Sequence, residues 1–269
     1  MGKQRLKRIQ GGRLVRQALW TAPFPSDSDK ARAEKTRCTT MARQALNDKC
    51  SWEKLKMILA ENFDYRDLVV TLTYDSEHLP PNVLEARKII KKFLGQLRSH
   101  RRCRGEELRY VYVNETVHGD GRIHHHLVVN GTGQDYELLR SLWIWGKNLE
   151  FSQIETWGYE ELAKYLTKEP REYGRTFVGE RMWAASRNLG RPQVQPTEWV
   201  SEDVRLEPPV NAHVLKAESF RNEWGSFSYL EYLLPLPPKQ QRRRPPRRKF
   251  QTASSFSGLE HGITNGKGL

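Results

Sequence analysis

The residues best suited to catalysis or metal binding lie in one stretch, where three consecutive histidines stand in an apolar run from Ile123 to Val129. A run rich in β-branched residues predicts a strand, and successive side chains of a strand point to opposite faces. His124 and His126 therefore share one face, while His125 points to the other. Two imidazoles on one face can direct their nitrogens at a single divalent cation. The alternative interpretation is a solvent-facing histidine cluster on an edge strand.

Glu115 is the candidate for a third ligand. It ends the strand predicted over residues 108–115, and the turn at 118–121 predicts a hairpin between that strand and the histidine strand. Hairpin pairing would bring Glu115 close to His124 and His126. Two histidines and one carboxylate leave coordination positions open, which suits Mg²⁺ or Mn²⁺ acting on a phosphate.

Other roles stay open for the residues around these ligands. Glu115 could be an ordinary acid that faces water at a strand end. His118 and Asp120, on the turn, are weaker substitutes for it as third ligand. We expect His125, on the opposite face, to be a packed or hydrogen-bonded core histidine.

A nucleophile is predicted on a helix over Tyr159–Lys168. Tyr165 and Lys168 are three residues apart, so they share a helix face. Tyrosine is a poor nucleophile at its ordinary pKa of about 10, but a neighbouring ammonium and a metal that neutralises the phosphate both favour its attack. Tyr159 lies about 120° around the helix from Tyr165 and is predicted to be structural. The Tyr-x-x-Lys pattern is weak alone and gains weight because it follows the histidine motif and Glu115.

These residues need a fold that brings their elements together. From residue 68 onward we predict strands at 68–74, 108–115, 123–129 and 149–154, with helices at 83–101, 134–142 and 159–168 and one more strand near 182–186. The order β-α-β-β-α-β-α has no long parallel crossover in its middle. It predicts the α+β class, with a central antiparallel sheet and helices packed on it. The chain has no GxxxxGK[ST] motif, which argues against ATP-driven chemistry.

The charge of the chain points to a polyanionic partner. The formal net charge is +13 over 269 residues, and residues 1–44 and 235–269 together carry +15, which leaves −2 for the residues between them. A near-neutral centre with basic ends is typical of an enzyme that acts on nucleic acid, because the ends can contact phosphates without sequence preference.

The composition also predicts four segments. Residues 1–64 are predicted to form a basic arm, flexible over 1–29, and a helical extension with helices over 30–46 and 52–62. Residues 65–195 form the predicted domain that contains the candidate metal ligands and Tyr165. Residues 196–234 form an extension of uncertain structure. Residues 235–269 form a tail rich in proline and arginine that we expect to be disordered.

Cysteine usage and hydropathy bear on the compartment. Three cysteines without CxxC spacing argue for a reducing compartment and against a disulfide framework or a thiolate zinc site. We find neither a signal peptide nor a membrane-spanning run. The expected location is the cytoplasm.

Taken in order, the motifs resemble those of the HUH endonuclease superfamily. The stretch Ile123–Val129 resembles its His-hydrophobic-His motif, although the middle residue here is itself His125. Val69–Tyr74 resembles its first strand motif. Ala163–Lys168 is similar to its nucleophile helix, particularly in the replication initiators of small single-stranded-DNA phages and rolling-circle plasmids. The resemblance covers about residues 65–190.

The resemblance implies a metal-dependent nuclease and strand transferase with a single catalytic tyrosine, because Glu161 stands where some phage initiators carry a second one. Tyr165 would attack the scissile phosphate of single-stranded origin DNA on a metal held by His124, His126 and Glu115, with Lys168 in support. The products would be a 5′-phosphotyrosyl link and a 3′-OH primer, with host DNA polymerase and helicase as further partners. Termination would need a second protomer or an activated water.

Two other functions stay open at this point. The first is a relaxase or single-tyrosine transposase of the same fold. The second is a non-catalytic nucleic-acid-binding protein, which would bind DNA in a salt-sensitive manner without cutting it.

Overall fold

Two antiparallel sheets and four α-helices make up the part of the chain that the computed structural model describes, residues 3–21, 41–115, 122–155, 158–168, 181–222 and 225–236. The helices are α1 (Met41–Asn62), α2 (Val83–Cys103), α3 (Asp135–Leu142) and α4 (Tyr159–Leu166), with a 3₁₀ turn at Ser76–His78. The strands are β1 (Lys3–Gly11), β2 (Leu14–Thr21), β3 (Leu68–Leu72), β4 (Tyr110–Glu115), β5 (His124–Val129), β6 (Leu149–Gln153), β7 (Ala184–Ala185), β8 (Gln193–Val194), β9 (Glu198–Ser201), β10 (His213–Asn222) and β11 (Gly225–Leu233).

The five strands of the site sheet, β3 to β7, run in the order β6-β3-β5-β4-β7, and every pairing is antiparallel. The predicted α+β class with a central antiparallel sheet is confirmed. The strand predicted near 182–186 is β7, at the edge of this sheet.

Helices cover both faces of the site sheet, which explains why its strands are apolar on both sides. On one face, Leu72 and Leu127 pack with Phe93 of α2 and with Trp143, the residue after α3. On the other face, side chains of β3, β4 and β5 pack against α1 and α4, with Ala163 of α4 fully buried. Helix α4, which carries Tyr165, therefore packs directly on the sheet that contains the histidine strand.

A second sheet, the outer sheet, runs in the order β10-β11-β2-β1-β8, and β9 also pairs with β1. The expectation of a flexible basic arm at residues 1–29 is wrong for residues 3–21, which form β1 and β2. These strands form because β2 pairs with β11, more than two hundred residues later in the chain. The extension at 196–234 supplies β9, β10 and β11 to the same sheet.

The N-terminal helices also differ from the expectation. A single helix, α1, spans Met41–Asn62, where helices over 30–46 and 52–62 were predicted. Residues 30–40 lie outside the described part of the chain, as do the turn at 118–121 and the tail from 237 on. Burial of Leu55 and Leu59 between the two sheets stabilises α1 beyond what its weak amphipathic pattern predicts.

Helix α1 joins the outer sheet to the site sheet. Leu14 of β2 and Leu233 of β11 share one apolar cluster with Leu59 of α1 and Val128 of β5. A buried ion pair lies beside this cluster, with Lys56 Nζ 2.7 Å from a carboxylate oxygen of Glu231. None of the described helices is both long enough and apolar enough to cross a membrane.

Candidate active site

The β4–β5 hairpin brings the three predicted metal ligands together. In its register Glu115 lies opposite His124, and Val113 lies opposite His126. Because neighbours in register project to the same face, both imidazoles and the carboxylate meet at one end of the site sheet. His126 Nε2 lies 2.8 Å from Glu115 Oε2, and His124 Nε2 lies 3.3 Å from the same oxygen. The possible ligand atoms of these three residues all lie within 4.8 Å of one another.

Hydrogen bonds on the far side of each imidazole orient the ligand nitrogens. His124 Nδ1 donates to the carbonyl oxygen of Arg122 at 2.8 Å, so its Nε2 is the atom directed at Glu115. His126 Nδ1 lies 3.3 Å from Thr71 Oγ1. Such outer partners fix the ring orientation of metal-binding histidines. The donor set and its orientation therefore fit a divalent cation held by two nitrogens and one carboxylate.

The electrostatics of this cluster favour a positive charge between its members. Burial alone would raise the pKa of Glu115, but hydrogen bonds from His124 and His126 hold that pKa well below its usual range. Burial alone would lower the pKa of His124, but its hydrogen bonds with Glu115 and the Arg122 carbonyl raise it above its ordinary value. Glu115 is thus ionised at neutral pH, and a proton on His124 would compete with a cation for the same position.

Tyr165 lies beside the histidine cluster. Its hydroxyl is 3.5 Å from His126 Nε2, and the two ring centroids are 4.9 Å apart. The side chain is 45 % exposed, so a substrate can reach it. Helix α4 is fixed from the other side by Tyr159, which is buried and donates to the Phe63 carbonyl at 2.7 Å. The prediction that Tyr159 is structural is confirmed.

Lys168 contacts both the carboxylate and the tyrosine. Its Nζ lies 3.2 Å from Glu115 Oε1 and 4.8 Å from the centre of the Tyr165 ring. Burial raises the pKa of Tyr165; Lys168 opposes that rise, while the charges of Glu115 and Glu150 add to it. Lys168 therefore lowers the pKa of Tyr165, as expected, but burial raises that pKa by more, so Tyr165 is protonated at neutral pH.

His125 is a core residue, as predicted. It is fully buried on the face that packs against α2 and α3, between the Tyr74 hydroxyl and the side chain of Asn114. Burial, followed by the charges of His124 and His126, lowers its pKa to about 3. A neutral imidazole can donate only one hydrogen bond, and the Asn114 Oδ1 atom can only accept. His125 Nδ1 therefore donates to Asn114, and Nε2 accepts from Tyr74.

Two residues near the site were not identified from the sequence. Thr71 lies opposite His126 in the β3–β5 pairing, and Glu150 lies opposite Thr71 in the β3–β6 pairing. The three residues thus form one row across the site sheet. Both residues can be identified from the strand register, but the sequence alone does not show which strands are neighbours in the sheet. His118 and Asp120, the substitute ligands, lie outside the described residues.

Residues 67–170 match a protein-family model described as replication-associated protein ORF2/G2P. The matched segment contains all five predicted site residues. No curated protein and no solved structure matches the chain. Over residues 67–170 the chain is therefore similar to the replication-associated protein ORF2/G2P family, which agrees with the resemblance to replication initiators.

Proposed function

We propose that the protein initiates rolling-circle DNA replication by nicking and rejoining single-stranded DNA at an origin. The observation that carries this proposal is the position of Tyr165, whose hydroxyl lies 3.5 Å from His126 within a cluster of two histidines and one carboxylate. An exposed nucleophile beside a divalent-cation site is the arrangement that phosphoryl transfer to a side chain requires. The similarity of residues 67–170 to the replication-associated family supports the biological role.

The metal ligands of this proposal are Glu115, His124 and His126. A Mg²⁺ or Mn²⁺ ion held there would supply positive charge to the phosphoryl oxygens. The protein fixes the directions of the two ligand nitrogens, because the Arg122 carbonyl orients the His124 imidazole and Thr71 orients that of His126. Two nitrogen ligands suit Mn²⁺ better than Mg²⁺, which prefers oxygen ligands.

Tyr165 is the proposed nucleophile. Its Oη attacks the scissile phosphorus, a new P–O bond forms to the tyrosine, and the bond to the 3′ oxygen breaks. The proton that Oη loses is balanced by the proton that the departing 3′ oxygen takes up. Lys168 lies near both Tyr165 and Glu115, so its ammonium can stabilise the phenolate or contact the phosphate. The phosphotyrosyl bond conserves the energy needed for rejoining, so no nucleotide cofactor is required.

Covalent trapping tests this function. The protein is incubated with a labelled single-stranded origin oligonucleotide and Mn²⁺, and the adduct is resolved on a denaturing gel. We expect wild type to form an adduct and Tyr165→Phe to form none, because phenylalanine has no nucleophilic oxygen. Tyr136→Phe is the matched control, since Tyr136 is 48 % exposed on α3, away from the site.

Two results would contradict the proposal. Full adduct yield from Tyr165→Phe would refute the nucleophile. Salt-sensitive DNA binding by wild type, without cleavage at any metal concentration, would identify a non-catalytic DNA-binding protein instead.

A further inference from the structure

One face of the outer sheet carries a row of aromatic side chains across five strands. In the register of the sheet, Trp199 lies opposite Arg5, Arg5 opposite Trp20, Trp20 opposite Phe227, and Phe227 opposite Phe220. Directly opposite residues of antiparallel strands project to the same face. These five residues, named here the aromatic row, therefore form one continuous line of four aromatic rings and one guanidinium.

The aromatic row is accessible to a ligand. Its two ends are open, with Trp199 48 % and Phe220 59 % exposed, while Trp20 and Phe227 are partly buried. The Phe220 and Phe227 rings stack at 5.2 Å, and the Arg5 guanidinium lies 4.5 Å from the centre of the Trp199 ring. Adjacent strands are about 4.8 Å apart, so the row is roughly 19 Å long, which accommodates several nucleobases.

The charges near the aromatic row favour a polyanion. Arg5 and the neighbouring Lys7 are exposed, and no carboxylate of the described residues forms an ion pair with either. On the same face, Glu218 is paired with Lys216 and Glu231 with Lys56, and Glu53 of α1 is paired with Arg16. Aromatic rings with interspersed, uncompensated cations are the surface on which unpaired bases stack while phosphates are neutralised.

A cavity connects the aromatic row to the nucleophile helix. It has a volume of about 490 Å³, and Phe227 and Lys7 line its wall on the outer sheet. Trp52 of α1 and Lys164 of α4 line the facing wall. Lys164 directly precedes Tyr165 in the chain, so a strand of DNA that leaves the aromatic row along this cavity reaches the helix that carries the nucleophile.

We propose that the aromatic row is a second binding surface for single-stranded DNA, on which unpaired bases next to the nicked position stack. The inference rests on the proposed function for the identity of its ligand. It goes beyond that function because it places a substrate contact on the outer sheet, outside the segment that matches the replication-associated family.

The test measures binding rather than cleavage. The probe is a fluorescein-labelled oligothymidylate of about 16 nucleotides, the upper site size of one binding module. It is titrated with the Tyr165→Phe protein in EDTA, and fluorescence anisotropy gives the Kd for DNA. Adding Trp199→Ala or Phe220→Ala to this protein should raise Kd at least about fivefold each, because each loses one stacking contact. Trp199→Phe keeps an aromatic face and should stay within about twofold of the parent.

Tyr65→Ala is the matched control. Tyr65 is 60 % exposed, lies just before β3 and is not part of the aromatic row, so its replacement should leave Kd unchanged. A duplex of the same length should compete poorly, since its bases are already stacked. Unchanged Kd in both aromatic-row variants, or an equal loss in Tyr65→Ala, would overturn the proposal. A dimer that Trp199→Ala and Phe220→Ala dissociate, without any change in Kd, would assign the row to contact between copies and would also overturn it.

The covalent assay separates this proposal from the proposed function. If wild type forms no adduct, nicking is refuted, while the binding titration still decides on the aromatic row. If wild type forms the adduct and the aromatic-row variants bind as the parent does, the nicking function stands and only the aromatic row is refuted.

Discussion

At the scale of single residues, the protonation of His124 should control cation binding. The pKa of His124 lies above its ordinary value of 6.5, because hydrogen bonds to Glu115 and the Arg122 carbonyl outweigh the effect of burial. A cation requires the neutral imidazole, so it must displace this proton. Glu115 stays ionised throughout the neutral range because its pKa is lowered.

Affinity for Mn²⁺ should therefore rise with pH, by about tenfold per unit while one proton is displaced, and level off above the His124 pKa. Titration calorimetry of Tyr165→Phe with Mn²⁺ between about pH 6 and pH 8 measures this. An affinity that does not change over that range would show that no proton competes for the site.

The three histidines should respond differently to substitution. His124→Ala and His126→Ala each remove a ligand nitrogen, so we expect loss of Mn²⁺ binding and of the DNA adduct. His125→Ala should retain the adduct per folded molecule, because His125 faces the core on the opposite side of the site sheet.

His125→Ala should instead reduce stability by about 2–4 kcal/mol, since it leaves a cavity and removes the partners of Tyr74 and Asn114. Urea denaturation and the trapping assay, run on the same preparations, separate the two effects. Loss of the adduct in fully folded His125→Ala would place His125 in the catalytic machinery after all.

At the scale of secondary-structure elements, the Lys56–Glu231 pair holds α1 against the outer sheet. Both side chains are almost fully buried, and Lys56 also contacts Glu160 of α4 at 3.1 Å. Lys56→Met leaves a buried carboxylate without its cation, so we expect a loss of about 3–5 kcal/mol in the free energy of unfolding. The double variant Lys56→Met/Glu231→Leu should recover most of this loss.

Lys88→Met serves as the control for that experiment. Lys88 forms an exposed pair with Glu85 on α2, and such pairs contribute about 0–1 kcal/mol. Equal stability of Lys56→Met and wild type in urea would show that the buried pair does not fasten α1 to β11.

The elements of the site sheet could be predicted from sequence, and those of the outer sheet could not. Glu115 and the histidines belong to adjacent strands of one hairpin, so the pairing of these two strands is enough to bring the side chains close together. The proximity of Tyr165 followed from the resemblance and not from any spacing. Strand β1 carries four basic residues, and β2 pairs with β11, which is too distant in sequence for a local pattern to reveal. The aromatic row could not be predicted from the sequence for the same reason, since its residues come from five strands at both ends of the described chain.

At the scale of the whole molecule, the domain boundaries at 65 and 195 stay a prediction that a fragment can test. The apolar cluster around Val128 includes Leu14, Leu59 and Leu233, which a fragment of residues 65–195 lacks. We therefore expect this fragment to unfold at a lower temperature than residues 1–235, and with less cooperativity, because it exposes that cluster to water.

Circular dichroism melting curves of the two fragments give the comparison. Equally cooperative melting at the same temperature would establish 65–195 as an independent domain and refute a stabilising role for the outer sheet.

The two oxygens of Glu115 have different partners, with Oε2 facing the imidazoles and Oε1 facing Lys168. One carboxylate charge is thus shared between the cation position and the lysine nearest to Tyr165. A cation held by Glu115 would weaken the attraction of that carboxylate for Lys168 and would favour contact between the ammonium and a DNA phosphate. Ion and DNA should therefore bind with positive cooperativity, and linkage requires that each raise the affinity of the other by the same factor. Lys168→Met keeps all three ligands and should reduce this mutual effect, which titrations of Mn²⁺ with and without DNA measure.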